Sequence, residues 1–447
     1  MNRYYKTLEL DKILNMLADL TSNEATRKMA LELRPDTDFE RVKQECLKTS
    51  QALELSVQFG TPPFSNFKDI SSVSARAKSG AVISLRDLMD IAAMLRQIKG
   101  LADWYRHCEN IETELSYLFS RLQPNEWLLE KLERSIISEN EIADAASPEL
   151  AAIRRKINRA GMQLRETLDK MVKNKTTQQY LQESSVTIRD GRFVLPVKAE
   201  YRSQVSGLIH DTSSTGQTIF IEPMAIVEAN NDIRILEGKE QEEIERIIRE
   251  LCRECGEYSD ILCENYKVCT KLNLYFAKSN LAAKLRCSLP EITDDGKMCL
   301  KKARHPLIDR NKAVPIDLSL GEDYQALIIT GPNTGGKTVS LKTAGLLSLM
   351  IMCGLLIPVA DGSKISVFNH VLADIGDSQS IEQNLSTFSS HTNKVIEILK
   401  TADETSLVLL DELGSGTDPV EGAALAVSII TRLMESGAKV MVTTHYQ

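Results

Sequence analysis

The stretch QALIITGPNTGGKTVSLK, residues 325–342, consists of an apolar run, a glycine-rich loop and the predicted start of a helix, in that order. Its residues 331–338 match the pattern G-x-x-x-x-G-K-[ST], between a predicted strand and a predicted helix as a P-loop requires. Glycines let backbone N–H groups turn towards phosphate oxygens, and the positive end of the helix adds attraction. The sequence therefore predicts a nucleotide site formed by Gly331, Pro332, Asn333, Thr334, Gly335, Gly336, Lys337, Thr338 and Val339.

Two side chains of this loop have predicted chemical roles. We expect the Lys337 ammonium to reach the β- and γ-phosphates of ATP. We expect the Thr338 hydroxyl to be a ligand of Mg²⁺. Taken alone, the motif also fits a glycine-rich turn that binds nothing.

A second motif supplies the hydrolytic half of such a site. The apolar run 407–410 ends at Asp411 and Glu412, and an acidic pair at the end of a buried strand can hold a metal shell and orient water. We assign Asp411 to the metal and Glu412 to the general base. His445 follows the last predicted strand, and its position favours a polar contact with the γ-phosphate.

Further from the loop, the last third of the chain alternates between apolar strands and helices. This alternation predicts a mostly parallel sheet with its ligands at the carboxyl ends of the strands. The predicted elements are a strand at 325–330, a helix at 337–353, an extended segment at 364–373, a helix at 389–402, a strand at 406–410, a helix at 420–436 and a strand at 439–443. We assign residues 291–447 to this α/β domain.

The first two thirds predict a different architecture, so the fold class is α + α/β. Residues 1–146 have helical spacing and form a helical core or lever domain. Residues 147–290 predict a long helical hairpin, with charged helices at about 147–182 and 226–265. A β-rich tip at about 185–225 lies between them, with predicted strands at 186–189, 192–198 and 216–221.

Composition restricts the class of protein. The 447 residues carry a formal charge of −8, which argues against a uniformly basic nucleic-acid coat but allows local basic patches. The nine cysteines lack the spacing of a disulfide or zinc framework, since Cys252 and Cys255 have no second pair. With no signal peptide or membrane span in the sequence, we expect a cytoplasmic protein without a membrane partner.

Two polar loops have more than one interpretation. Residues 414–419 read as a turn followed by a helix start, with Pro419 and Glu421 in the first turn. Residues 384–390 offer hydroxyl groups at another helix start, where helix capping and phosphate binding are both reasonable.

Together these motifs resemble the MutS-type ATPases, relatives of the ABC class. Residues 331–339 (GPNTGGKTV) and 411–419 (DELGSGTDP) look like the second bacterial paralogue of that family. Arg304-His305-Pro306 and residues 192–198 (RFVLPVK) also look like that paralogue. The resemblance covers essentially the whole chain and implies an ABC-type ATPase domain.

The resemblance also implies a homodimer with both nucleotides at the interface of the two ATPase domains. Five residues would then belong to a composite site. Ser386, Thr387 and Ser389 would act on the partner's γ-phosphate, Asp418 would lie at the subunit boundary, and Asn333 would touch the γ-phosphate or its water. Val314 and Pro315 fall where the family packs the adenine.

The chain departs from the wider family in two respects. The mismatch-recognising members carry a leading domain with a Phe-x-Glu motif, whereas the N-terminus here goes straight into the helical core without that motif, so mismatch recognition is not expected. The sequence stops at Gln447, whereas the family continues through more ATPase helices to a C-terminal Smr nuclease-like domain. We therefore expect no nuclease activity from this chain, and a dimer interface that is incomplete.

The resemblance implies an ATP-driven clamp whose target is branched DNA, where it suppresses recombination, or collided ribosomes, whose subunits it splits. The sequence does not separate DNA from ribosomal RNA. The predicted phosphate contacts of the clamp are Lys173, Arg189, Arg192, Lys198 and Arg202, and for each one solvated surface charge is the competing interpretation. The alternative functions are a chromosome-organising ABC-like ATPase and a transporter subunit.

Overall fold

The structure is a computed structural model that describes residues 3–108, 111–331, 336–376, 384–415 and 418–445. For residues 384–390 it describes the helix but not the side chains. The chain divides into two compact units, the first made of residues 1–69, 97–124 and 264–447, the second of residues 70–96 and 125–263. The predicted division into three domains, residues 1–146, 147–290 and 291–447, stays a prediction.

The described residues contain fifteen α-helices. Several begin at a side chain that accepts a backbone N–H of the first turn, as N-cap residues do. In chain order they are α1 (Arg3–Thr7), α2 (Leu10–Ala18), α3 (Glu24–Leu31), α4 (Phe39–Phe59), α5 (Ser71–Lys78), α6 (Leu85–His107), α7 (Ser116–Ser120), α8 (Glu126–Ser135), α9 (Pro148–Val172), α10 (Lys175–Tyr180), α11 (Val227–Glu257), α12 (Ser259–Leu285), α13 (Lys337–Met352), α14 (Asn384–Thr401) and α15 (Pro419–Glu435).

The described residues also contain fourteen strands in four sheets. They are β1 (Ile136–Ser138), β2 (Glu141–Ile142), β3 (Thr187–Arg189), β4 (Arg192–Lys198), β5 (Gly207–Thr212), β6 (Thr218–Pro223), β7 (Glu291–Thr293), β8 (Met298–Ala303), β9 (Ile316–Leu320), β10 (Ala326–Thr330), β11 (Lys364–Ser366), β12 (His370–Asp374), β13 (Ser406–Leu410) and β14 (Lys439–Thr444). No described helix is long and apolar enough to cross a bilayer.

The alternating elements after residue 325 form a parallel sheet with the strand order β10-β14-β13-β12. The predicted mixture of helices with a parallel α/β sheet is therefore confirmed. The last strand in sequence, β14, lies between the P-loop strand β10 and the strand β13 that precedes the acidic pair. Because parallel strands share their carboxyl edge, the residues after Thr330, Asp374, Leu410 and Thr444 meet at one side of the sheet.

The prediction of one extended segment at residues 364–373 is wrong. It is divided into β11 and β12, which belong to different sheets. β11 pairs in parallel with β7 and antiparallel with β8, in a sheet with the order β7-β11-β8-β9. The sequence did not predict β7, β8 or β9, because these strands are short and alternate buried with exposed residues only in part.

α13 is buried over most of its length. Every residue from Thr343 to Met352 is buried, as expected for a helix that is apolar on all sides. The absence of a side chain at Gly345 lets Leu409 and Leu8 pack against the helix backbone. A Cβ at this position would lie 2.5 Å from Leu409 Cδ1 and 2.7 Å from Leu8 Cδ2. The helix that begins at the P-loop is thus held firmly by a strand on one side and the N-terminal segment on another.

In the second unit, α9 and α11 carry an antiparallel sheet with the order β3-β4-β6-β5. Two predicted helices are shorter than expected. Asn174 has an extended backbone and caps α10, so the helix predicted to reach residue 182 ends at Val172. The helix predicted for residues 226–265 breaks at Tyr258, between α11 and α12. Strand β5, in which no residue is buried, was not predicted.

Candidate functional site

The P-loop lies between β10 and α13. Gly331 has a φ of 135° and Gly336 a φ of 75°, backbone conformations that favour glycine at both ends of the loop. Pro332, Asn333, Thr334 and Gly335 lie outside the described residues. Val339 is exposed on the first turn of α13.

Lys337 is the first residue of α13, and only 5% of it is exposed. Its ammonium donates hydrogen bonds to the carbonyl oxygens of Gly331 and, at 3.3 Å, Thr444. These carbonyls are at the carboxyl ends of β10 and β14. The positive charge is therefore held at the edge of the sheet where parallel strands place ligands.

Thr338 and Asp411 form the part of the site that fits a magnesium ion. The Thr338 hydroxyl donates a hydrogen bond of 2.8 Å to Asp411 Oδ2, although the two residues are 73 positions apart in the sequence. A hydroxyl and a carboxylate are the hard oxygen ligands that Mg²⁺ prefers, together with phosphates and water. The donor set therefore matches the predicted metal.

Thr443 connects both acidic residues, and the sequence did not identify it. Its hydroxyl accepts the backbone N–H of Glu412 at 2.8 Å and donates to Asp411 Oδ1. The side chain can do so because β14 lies beside β13, with Leu410 paired with Val442. Only the strand order, which the local pattern does not reveal, could have identified this residue.

Glu412 has an unusual backbone, with a φ of 50°. Positive φ in a residue other than glycine costs free energy and is enriched at functional sites. The bond from its N–H to Thr443 and the neighbouring bond from Leu413 N–H to the carbonyl of Thr443 hold this conformation. The carboxylate is half-buried, with Oε1 3.5 Å from Nε2 of His445.

The predicted adenine residues belong to the same unit as the P-loop. Val314 and Pro315 precede β9, and both are exposed, Val314 to 79%. The loop before them is ordered by Arg304, whose guanidinium donates to the carbonyl oxygens of Arg310 and Ala313. The arginine of the motif Arg304-His305-Pro306 therefore has a structural role in this loop.

Predicted residues of the composite site are only partly described. The side chains of Ser386, Thr387 and Ser389, on the first turns of α14, lie outside the described residues. Asp418 is the N-cap of α15, and its carboxylate accepts the N–H of Val420 at 2.9 Å. This agrees with the interpretation of residues 414–419 as a turn and a helix start.

Among the predicted clamp residues, Arg192 is engaged inside the second unit. Its guanidinium donates to both oxygens of Glu222, at 2.9 and 3.0 Å, and the Glu222 side chain is 0% exposed. Asn230 and His210 also contact that carboxylate. Since removing one partner of a buried ion pair leaves an uncompensated charge, replacement of Arg192 would destabilise the sheet whether or not it contacts nucleic acid.

The other four clamp residues are more accessible. Arg189 stacks on Phe220, with 4.2 Å from its guanidinium carbon to the ring centroid. Lys198 donates to the carbonyl of Gln179 at 3.3 Å. Arg189 is also ion-paired with Asp211 at 3.3 Å. Lys173 and Arg202 are exposed, and among the described residues neither side chain has an ion-pair partner.

Within the described ranges, no three His, Cys, Asp or Glu residues are grouped so that they could hold a metal ion. Cys252 and Cys255 are buried in α11, and burial raises the pKa of Cys255 to about 12. A thiol with a raised pKa is a poor metal ligand and a poor nucleophile.

The chain is similar to known proteins over nearly its whole length. The family described as MutS domain V matches residues 327–447. Proteins named Endonuclease MutS2 from Acetivibrio thermocellus and Ruminiclostridium cellulolyticum are each 46% identical to it, across 99% of the chain. A protein of the same name from Clostridium perfringens strain 13 is 43% identical over 449 residues. The chain spans 56% of the length of the first two relatives and 57% of the third.

Proposed function

Because the chain belongs to the MutS family, and is similar to MutS2 proteins over 99% of its length, we propose that it hydrolyses Mg²⁺-ATP to control its grip on nucleic acid. One observation carries the proposal. The Lys337 ammonium, the Thr338 hydroxyl and the Asp411–Glu412 pair converge at the carboxyl ends of β10, β14 and β13. This is the edge at which an α/β sheet binds ligands.

Each of these side chains has a role in the proposed reaction. Lys337 binds the β- and γ-phosphate oxygens, and the N-terminus of α13 adds the attraction of its dipole. Thr338 and Asp411 would hold Mg²⁺, which neutralises phosphate charge when bound. Glu412 accepts a proton from the attacking water, and His445, 3.5 Å from its carboxylate, contributes a polar group beside it.

Thr443→Val is expected to lower the rate of hydrolysis about tenfold, since a hydrogen bond to a charged group contributes roughly 1.5 kcal/mol. Valine keeps the shape of threonine but removes the hydroxyl that contacts Asp411 and Glu412. ATP affinity should change little, because Thr443 does not contact the P-loop residues described. Steady-state hydrolysis measures the effect, and Thr443→Ser should restore it; a Val variant with wild-type turnover would show that the hydroxyl is dispensable.

We propose further that two copies of the chain complete the site, as the family resemblance implies. Two features of the described residues support a subunit boundary near α15. Asp418 caps the exposed start of this helix, and Val420 and Val427 are apolar residues that are 78% and 65% exposed. Apolar side chains clustered on an exposed helix mark interaction surfaces more often than scattered ones do. In this arrangement Ser386, Thr387 and Ser389 serve the partner's nucleotide.

We propose that the second unit binds the nucleic acid. In the proposed layout, residues 1–146 are a lever, residues 147–290 a hairpin with a clamp tip, and residues 291–447 the ATPase domain. The exposed cations Lys173 and Arg202 lie at the end of α9 and beside the tip sheet, and they are the best phosphate contacts. Arg189 and Lys198 are secondary contacts, and Arg192 acts mainly by holding Glu222.

Reversing charge at Lys173 and Arg202 together is expected to weaken nucleic-acid binding and to reduce its salt dependence. Removing one phosphate-binding cation lowers the slope of log affinity against log salt by about 0.9, so the slope should fall by about two. Fluorescence anisotropy with labelled duplex at several salt concentrations measures both quantities. The matched control is the double variant Lys271→Glu, Lys284→Glu, which reverses two exposed lysines of α12 in the first unit. Equal weakening in the control would mean that only net charge matters.

The proposed function is tested by measuring ATP hydrolysis with and without nucleic acid. Branched DNA and stalled ribosomes should be compared at equal phosphate concentration, with linear duplex as the reference. Stimulation by one of them identifies the target, since a clamp that responds to its ligand couples binding to turnover. If neither changes the rate or the affinity for nucleotide, the clamp function is contradicted even if hydrolysis itself is present.

A further inference from the structure

Asp374 is a buried carboxylate beside the proposed ATP site, and the assignments above give it no role. It is the last residue of β12 and pairs in register with Leu410, the residue before Asp411. Its backbone carbonyl accepts the N–H of Asp411 at 2.9 Å. Its side chain is 5% exposed. The segment with the two acidic residues is therefore joined to Asp374 through the backbone.

The Asp374 side chain is joined to α14. Nδ1 of His391 lies 2.8 Å from Asp374 Oδ2, and Nζ of Lys394 lies 3.3 Å from Oδ1. His391 and Lys394 are three residues apart, so they lie on the same face of the helix. The imidazole also packs on Gly376, where a Cβ would approach its Cε1 to 2.9 Å.

The charges around His391 favour a cationic ring. The groups that act on it are Asp374 on β12, Lys394 on α14 and Glu412 after β13. The hydrogen bond with Asp374 raises the pKa of His391 above its usual value, whereas partial burial and Lys394 oppose this. A buried carboxylate without a cation is strongly unfavourable, so Asp374 holds α14 at this edge of the sheet.

Asp374 therefore has two attachments at once. Its carboxylate binds α14 through His391 and Lys394, and its carbonyl binds the N–H of Asp411. Movement of α14 would pull on the strand end to which Asp411 and Glu412 are attached. Packed elements of this kind transmit small shifts because they have discrete arrangements.

We propose that His391 is a positioning residue for ATP hydrolysis, which acts through Asp374 on the segment that carries Asp411 and Glu412. This inference rests on the proposed ATPase function. His391 does not touch the described P-loop residues, so it should affect the rate of the chemical step more than the binding of nucleotide. It makes the geometry of the acidic pair depend on the position of α14.

The test compares steady-state ATP hydrolysis and binding of a non-hydrolysable ATP analogue in the full chain. His391→Ala is expected to lower kcat about tenfold, the effect of removing one charge-assisted hydrogen bond, and to change KM and analogue affinity less than about twofold. His391→Asn should recover most of the rate, because its amide N–H can replace Nδ1–H. The matched control is Asn393→Ala, an exposed residue of the same helix that should retain wild-type kcat.

A double-mutant cycle examines whether His391 acts through Asp374. In the Asp374→Asn background, adding His391→Ala should cause no further decrease in kcat, because coupled residues are not additive. Independent, additive decreases would overturn the proposal, and so would a wild-type kcat in His391→Ala. The proposal would also be overturned if His391→Ala lowered both the analogue affinity and the melting temperature and His391→Asn did not restore them. That result would indicate a general role of His391 in folding. If the unmodified chain binds ATP but does not hydrolyse it, the proposed ATPase function fails first, and the positioning role with it.

Discussion

Lys337→Ala is expected to weaken ATP binding roughly 100-fold. The ammonium is held at the strand ends by carbonyl oxygens of Gly331 and Thr444, beside the N-terminus of α13, and a helix N-terminus favours phosphate. Removing a cation that contacts two phosphates costs about 3 kcal/mol, or roughly a 100-fold rise in Kd. Isothermal titration with ATP and Mg²⁺ measures this directly.

The control for Lys337 is a second lysine on the same helix. Lys342 is half-buried and ion-paired with Glu9, 3.5 Å away, so its charge is already engaged within the protein. Lys342→Ala should therefore bind ATP with an affinity close to that of the unchanged chain. An unaltered Kd in Lys337→Ala would refute the assignment of residues 331–339 as the nucleotide site.

Glu412→Gln should separate ATP binding from hydrolysis. Glutamine keeps the size of the side chain and its polar character but cannot accept the proton of the attacking water. A positioned general base contributes about 10²–10⁴-fold to rate, so turnover should fall by that range while ATP remains bound. The backbone conformation at φ 50° should tolerate the change, because Thr443 holds the N–H and not the side chain.

Single-turnover experiments with labelled ATP distinguish the two steps for this variant. We expect stoichiometric ATP retained on the protein with almost no phosphate released. Glu404→Gln, an exposed residue in the loop before β13, is the control and should hydrolyse ATP normally. Wild-type phosphate release by Glu412→Gln would assign the proton acceptor to another group.

Local sequence was sufficient for the elements that carry the candidate site. The glycine pattern predicted the turn into α13, and the apolar run 406–410 predicted a buried strand ending at the acidic pair. Both predictions rest on short-range physics, since glycine permits positive φ and a continuous apolar run needs burial on both faces. The structure reproduces the bounds of this strand, and it ends the helix one residue before the predicted end.

Contacts that depend on strand order were not predictable in this way. Thr443 reaches Asp411 only because β14 lies between β10 and β13, and Asp374 reaches His391 only because α14 packs on β12. The interruption of 364–373 has a similar cause, since β11 pairs with strands that precede the P-loop in sequence. Periodicity detects one face of one element and contains no information about its neighbours.

Electrostatic roles were also only partly predictable. Arg192 and Lys173 are both basic residues of the hairpin region. Arg192 neutralises the buried carboxylate of Glu222, whereas Lys173 is exposed to solvent. The difference arises from Glu222, which is 30 residues away from Arg192 in sequence and adjacent to it across paired strands. A charge count cannot separate such cases.

We propose that one site at the strand ends holds Mg²⁺-ATP between Lys337, Thr338 and Asp411. The most direct measurement is a crystal structure with a non-hydrolysable ATP analogue and Mn²⁺, whose anomalous signal locates the metal. We expect a metal bonded to Thr338 Oγ1 at about 2.1 Å, with the Asp411 carboxylate in its shell and the β- and γ-phosphates at Lys337 Nζ. Nucleotide or metal bound away from these three residues would contradict it.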